Sequence, residues 1–119
     1  MNRISMIADR IAKVQMLLTQ RDKSLLPKIG AQEHVEDPIV YVKFFHPYGG
    51  GTWLATEFDG HDEFFGAVKL HGDWELGYFS LRELTELRAN IGGRQHPDIQ
   101  AIERDSGFRP MPLSKAKHA

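Results

Sequence analysis

The chain has 119 residues, 41% of them apolar and 26% charged, with no cysteine and a net charge of −1. A chain of this length suits one domain with its own core over residues 1–119, and the missing thiols exclude disulfide scaffolds, thiolate zinc sites and cysteine nucleophiles. No apolar run reaches the ~18–20 residues of a membrane-spanning helix, and Arg3, Asp9, Arg10 and Lys13 interrupt the N-terminus where a secretory signal would be apolar, so the expected compartment is the cytoplasm.

Ile4, Ile7, Ile11, Val14 and Leu18 recur at spacings of three and four, which predicts an amphipathic helix over 4–17. Its stripe is expected to dock on the sheet or to pair with a second copy, a homodimer through residues 4–18. Thr19 followed three residues later by Asp22 reads as a capping box opening a short helix over 20–26, stopped by Pro27. Residues 28–37 read as a loop.

From Ile39 the texture becomes β-branched and aromatic. Residues 39–45 predict a first strand, central and covered on both faces because it is apolar almost throughout. Thr52–Phe58 is a second, with Leu54, Thr56 and Phe58 expected on one face and Trp53, Ala55 and Glu57 on the other. Phe64–Leu70 and Trp74–Phe79 follow across short turns, which favours an antiparallel meander of about four strands. Ser80-Leu81-Arg82-Glu83 is a capping-box pattern opening a helix through about Arg88, with Asn90 and Gly92-Gly93 suited to its stop. Ile99–Arg104 fits either a short strand or a helical turn, and Pro110 and Pro112 predict an extended, irregular tail. Helices flanking an antiparallel sheet make the class α+β.

Charge is unevenly spread. Residues 31–63 hold seven acidic side chains and one basic, Lys43, whereas residues 1–30 hold six basic and two acidic, and residues 104–119 four basic and one acidic. The acidic middle is therefore the expected contact surface, with Trp53, Glu57, Asp59, Glu75, Tyr78, Glu103 and Arg104 as the candidate polar cluster.

Glu57, Asp59 and His61 stand at alternate positions, as ligands sharing a strand face would, but Asp59-Gly60 is a turn dipeptide that bends the chain between them. Glu57 and Glu75 form the candidate carboxylate pair for acid–base work. Gly49-Gly50-Gly51 leads into a strand and lacks the Lys-Ser/Thr of a phosphate loop, so it reads as a hairpin loop. Trp53, Trp74, Tyr41 and Tyr78 are more simply sheet-face residues than base-stacking platforms. Glu103-Arg104-Asp105 places an arginine between acids, and Arg104 is expected to pair with Glu57 or Glu75. No catalytic residue, metal or cofactor is assigned.

The order Thr52-Trp53-Leu54-Ala55-Thr56-Glu57-Phe58-Asp59, Glu75-Leu76-Gly77-Tyr78-Phe79-Ser80-Leu81 and Ile102-Glu103-Arg104-Asp105 resembles the bacterial domain-of-unknown-function family 2958 over about residues 17–114. That leaves residues 1–16 as an added helix and 115–119 as a tail. The resemblance implies a small protein carried on plasmids and integrating elements, with no reaction or cofactor to transfer. The expected function is a non-enzymatic accessory protein that binds a host protein through its acidic sheet surface, inhibiting a host defence system. The alternatives are a nucleic-acid-binding protein using its basic termini and a small metal-dependent hydrolase.

Overall fold

A computed structural model describes residues 17–119. Of the helix expected over 4–17 only Leu17 is described, in a bend, and of its stripe only Leu18; the rest, and with it the docking or dimer pairing, lies outside the described residues. The architecture is α+β: among the described residues, antiparallel strands with three short helices. Helix α1 (Gln20–Leu25) starts where the capping box places it. The Thr19 hydroxyl accepts from the Asp22 N–H and the Asp22 carboxylate accepts from the Thr19 N–H, both at 3.0 Å.

Strands β1 (Ile39–Val40), β2 (Val42–Phe45), β3 (Thr52–Phe58), β4 (Glu63–Lys69) and β5 (Glu75–Ser80) follow, then α2 (Leu81–Glu86), the hairpin of β6 (Arg88–Ile91) and β7 (Arg94–Gln100), β8 (Glu103–Arg104), β9 (Met111–Pro112) and α3 (Leu113–Ala116). The main sheet has the order β5-β4-β3-β2-β8. Its first four members form the expected meander, and β8 adds an edge beside β2 through Phe44 opposite Arg104.

The expected first strand is split. Tyr41 breaks it, so that Ile39–Val40 leaves the main sheet and pairs with Met111–Pro112. The tail expected to be irregular therefore supplies a strand and a helix.

Two apolar clusters lie on opposite faces of the sheet. On the first face Val42, Phe44, Trp53, Ala55, Phe58, Phe64 and Phe79 pack under Leu17, Leu18 and Leu26 near α1, Leu84 of α2, and Ala101 and Ile102. Phe64 stacks between Phe58 and Phe79, with ring centroids 4.5 and 5.1 Å away. On the second face Val40, Leu54 and Ala67 are covered by Leu113 and Ala116 of α3.

The face assignment expected for β3 fails at a β-bulge. Ala55 opposes Gly66, but the next opposed pair is Glu57 with Phe65, which leaves Thr56 as the extra residue. Beyond the bulge the alternation is reversed, so Phe58 joins Trp53 and Ala55 in the first cluster and Glu57 moves to the face of Leu54. The close approach is possible only at glycine, because a Cβ on Gly66 would overlap the Leu54 carbonyl.

The helix after Ser80 is shorter than expected. Leu87 is already extended (φ −61°, ψ 133°), and Gly92-Gly93, expected as a helix stop, forms a two-residue hairpin turn with φ of +62° and +77°. Within 99–104, Ile99 and Gln100 end β7 and Glu103–Arg104 form β8, with Ala101 and Ile102 between the two strands. Among the described residues no helix is long and apolar enough to cross a membrane.

Candidate functional site

Among the described residues, the α3 face of the sheet is only partly covered. Helix α3 sits across its middle and leaves a concavity on each side.

The first is a groove of about 470 Å³ between strands β3–β5 and the 28–38 loop, with Phe65, Leu76, Tyr78, Val35 and Leu113 among its walls. Register puts Leu76, Tyr78, Phe65 and Glu57 on this face, since Tyr78 opposes Phe65, which opposes Glu57. Leu76 is 65% exposed, Tyr78 61% and Val35 47%, although all are large and apolar or aromatic. The Tyr78 ring stands edge-on to Phe65 at 5.0 Å, which holds it upright beside the groove.

The groove wall depends on Glu57. Only 4% exposed, its carboxylate accepts from the Gly30 N–H at 2.8 Å and the Gln32 N–H at 2.7 Å. Gln32 then spends its amide on the sheet, donating to the carbonyls of Ile39 and Thr56 and accepting from the Ile39 N–H. The bulge at Thr56 is what turns Glu57 toward this loop. A buried carboxylate needs such donors, and here each oxygen has one.

The structure gathers only part of the expected polar cluster. Glu57 and Tyr78 line the groove together. Trp53 is buried in the opposite core. Glu75, opposite Val68 and through it Trp53, also belongs to that opposite face, so Glu57 and Glu75 form no carboxylate pair.

Asp59 closes its own turn, accepting from the N–H groups of His61, Asp62 and Glu63 at 2.7–3.0 Å. The Asp62 and His61 amides foremost hold its carboxyl below the usual 3.8. Its alignment with Glu57 and His61 is thereby lost, and among the described residues no His/Asp/Glu trio could hold a metal.

Arg104 does not meet Glu57 or Glu75. It grips Asp22 of α1 with two bonds, Nε at 2.6 Å and Nη2 at 2.8 Å. Burial works against the Asp22 charge, but Arg104 and the Thr19 amide outweigh it and hold the carboxyl below its usual value. Arg104 opposes Phe44, so this clamp ties α1 to the sheet edge on the first face. Glu103 is exposed beside it.

The acidic middle is therefore largely spent on architecture. Asp62 accepts from the Ser80 hydroxyl and the Arg82 N–H, and Asp37 accepts from the hydroxyl and N–H of Ser114. With Glu57 and Asp59, these make four of the seven carboxylates. Glu33 and Glu36 stay exposed on the groove. Sequence reasoning missed Gln32, Leu76 and Val35. Leu76 and Tyr78, large residues at alternate positions on either side of Gly77, were the one available signal for Leu76.

The second concavity, on the other side of α3, is lined by Lys43, Lys69, Lys117, His46 and His71 with Trp74.

A family model described as "Protein of unknown function (DUF2958)" matches residues 14–118, and the chain belongs to that family. The match spans α3 and runs to His118. No curated protein and no solved structure matches the chain.

Proposed function

We propose that the protein is a binding module for another protein, and that it takes an extended, basic segment of that partner along β5 and into the adjoining groove. One observation carries this reading. Leu76 and Tyr78 project from a strand that, among the described residues, pairs on one side only, with β4. An unpaired edge offers its main-chain N–H and C=O groups as a template for another strand. Natural edges are usually protected by lysine, proline or a bulge. Glu75–Ser80 has no lysine or proline, and its register against β4 is unbroken.

The partner's chemistry follows from the walls. Apolar side chains at alternate positions would meet Leu76, Tyr78 and Phe65, and lysine or arginine between or beside them would meet Glu33 and Glu36. A partner belonging to the host cell, including a component of a host defence system, fits the resemblance to proteins of plasmids and integrating elements.

A displayed library of random twelve-residue peptides tests the proposal. Enriched peptides are expected to combine alternating apolar residues with basic ones, and to bind at least tenfold more weakly to the Leu76→Ser/Tyr78→Ser variant at unchanged melting temperature. Enrichment indifferent to that variant would sink the idea. So would a concentration-dependent dimer abolished by the same two substitutions, because the edge would then serve a second copy.

A further inference from the structure

The second concavity has the opposite chemistry, and it stands independently of the peptide reading. It is a cleft of about 530 Å³ on the same sheet face, bounded by the 46–51 loop, the 70–74 turn and the chain after α3. Neighbouring strands bring its cations together. Phe45 opposes Thr52 and Thr52 opposes Lys69, so the ends of β2, β3 and β4 share one rim. Lys43 lies two residues back along β2 on the same face as Phe45, and Lys117 closes the cleft from beyond α3.

Three lysines and two histidines line this space, and no carboxylate side chain does. In a chain whose net charge is −1, that is a local concentration of one sign. Lys43 is anchored: its Nζ donates to the Ala119 main-chain oxygen at 2.9 Å and lies 3.9 Å from the Asp105 carboxylate. Lys69 stands over the Trp74 ring, 5.9 Å from its centroid, and is exposed. Lys117 is felt at longer range by Asp37, whose main partner is Ser114.

The loop adds main-chain donors. His46 accepts from the Gly49 and Tyr48 N–H groups, through its carbonyl and its Nδ1 respectively, and donates its own N–H to the Gly51 carbonyl. The N–H groups of Gly50 and Gly51 take no partner among the described residues. Flexible ammonium groups beside a glycine loop with unpaired main-chain N–H groups, all bordering one open cleft, are suited to a group with several anionic oxygens. A carboxylate would use two such donors, whereas a phosphate can use more.

We propose that this cleft binds phosphate groups, carried either by a small phosphorylated molecule or by a nucleic-acid strand, with Lys69 and Lys117 as the principal contacts.

The test titrates the full chain at low salt with inorganic triphosphate and with fluorescein-labelled oligothymidylates of four and twelve residues. Binding is read by calorimetry for the first probe and by anisotropy for the others. Lys69→Gln/Lys117→Gln is expected to weaken binding at least tenfold with the melting temperature held. For a strand, it should also reduce the slope of log affinity against log salt by about 0.7 per lysine removed. Triphosphate binding with no gain from strand length assigns a small phosphorylated ligand. Affinity rising from four to twelve residues assigns a strand. Both outcomes support the site. It is overturned if neither probe binds at low salt, or if Lys23→Gln/Lys28→Gln, two exposed lysines outside the cleft, weakens binding as much.

Discussion

The two concavities beside α3 share a sheet face and a helix, yet one is apolar with glutamates on its rim and the other is lined by lysines. The difference arises from where along the strands each lies. At the β5 end, alternate positions place Phe65, Leu76 and Tyr78 on the face. At the opposite ends of β2 and β4 the same alternation places Lys43 and Lys69 there. Among the described residues, α1, α2 and residues 101–102 close over the first face. Function is therefore sought where the covering is incomplete, and each cleft can be perturbed without the other.

Gly66→Ala is expected to have the largest effect and to abolish both clefts. Its Cβ would overlap the Leu54 carbonyl between β3 and β4, a main-chain clash that no side-chain adjustment relieves. A loss of about 4 kcal/mol or more, in the range reserved for such clashes, should appear in urea unfolding.

Arg104→Met should cost about 3 kcal/mol by stranding the buried Asp22 carboxylate. Because the clamp is on the far face, peptide and triphosphate binding should both persist in the folded fraction. Loss of either would show that the two faces are coupled.

Glu57→Ala separates the clefts most directly. Losing two charge-assisted hydrogen bonds to the 28–38 loop should cost about 2 kcal/mol. Peptide binding should fall sharply, while triphosphate affinity stays within twofold.

Acid provides a fourth test. Asp22, Asp37 and Asp59 all have carboxyls held below 3.8 in the folded state. The stability they contribute is fully present above about pH 4 and is lost as pH falls through their lowered values. Melting temperature should therefore drop as pH falls below about 4, and less steeply in Arg104→Met, where the main charge partner of Asp22 is gone.

The smallest effect is expected from Asp37→Ala. The Asp37 carboxylate joins the groove loop to α3 through Ser114, so its removal should slightly weaken binding in both clefts. A change confined to one would place α3 in that cleft alone.

Much of the fold was legible because its causes are local. Thr19 and Asp22 cap α1 through bonds three residues apart, and the strands from Val42 to Phe79 follow from β-branched and aromatic runs separated by tight turns. The β6–β7 hairpin was not legible. Gly92-Gly93 serves a helix stop and a hairpin turn equally well, and Arg94–Gln100 is too polar, with Pro97 inside it, to read as a strand. Of the candidate cluster, Glu57 and Tyr78 were found, but their neighbours were not, since Gln32 and Val35 come from a loop with no periodic signal.

Family membership, the α+β class and the order of the meander were determined by the sequence alone, through residue types acting on their near neighbours. The split of the first strand at Tyr41, the bulge that turns Glu57 to the α3 face and the partnership of Arg104 with Asp22 were decided only in the tertiary structure. Each depends on contacts between residues distant in the chain, 82 positions apart for Arg104 and Asp22. The acidic middle shows the same division. Its charges are plain in the sequence, but burial and hydrogen bonding turned most of them into scaffold and left an apolar groove beside them.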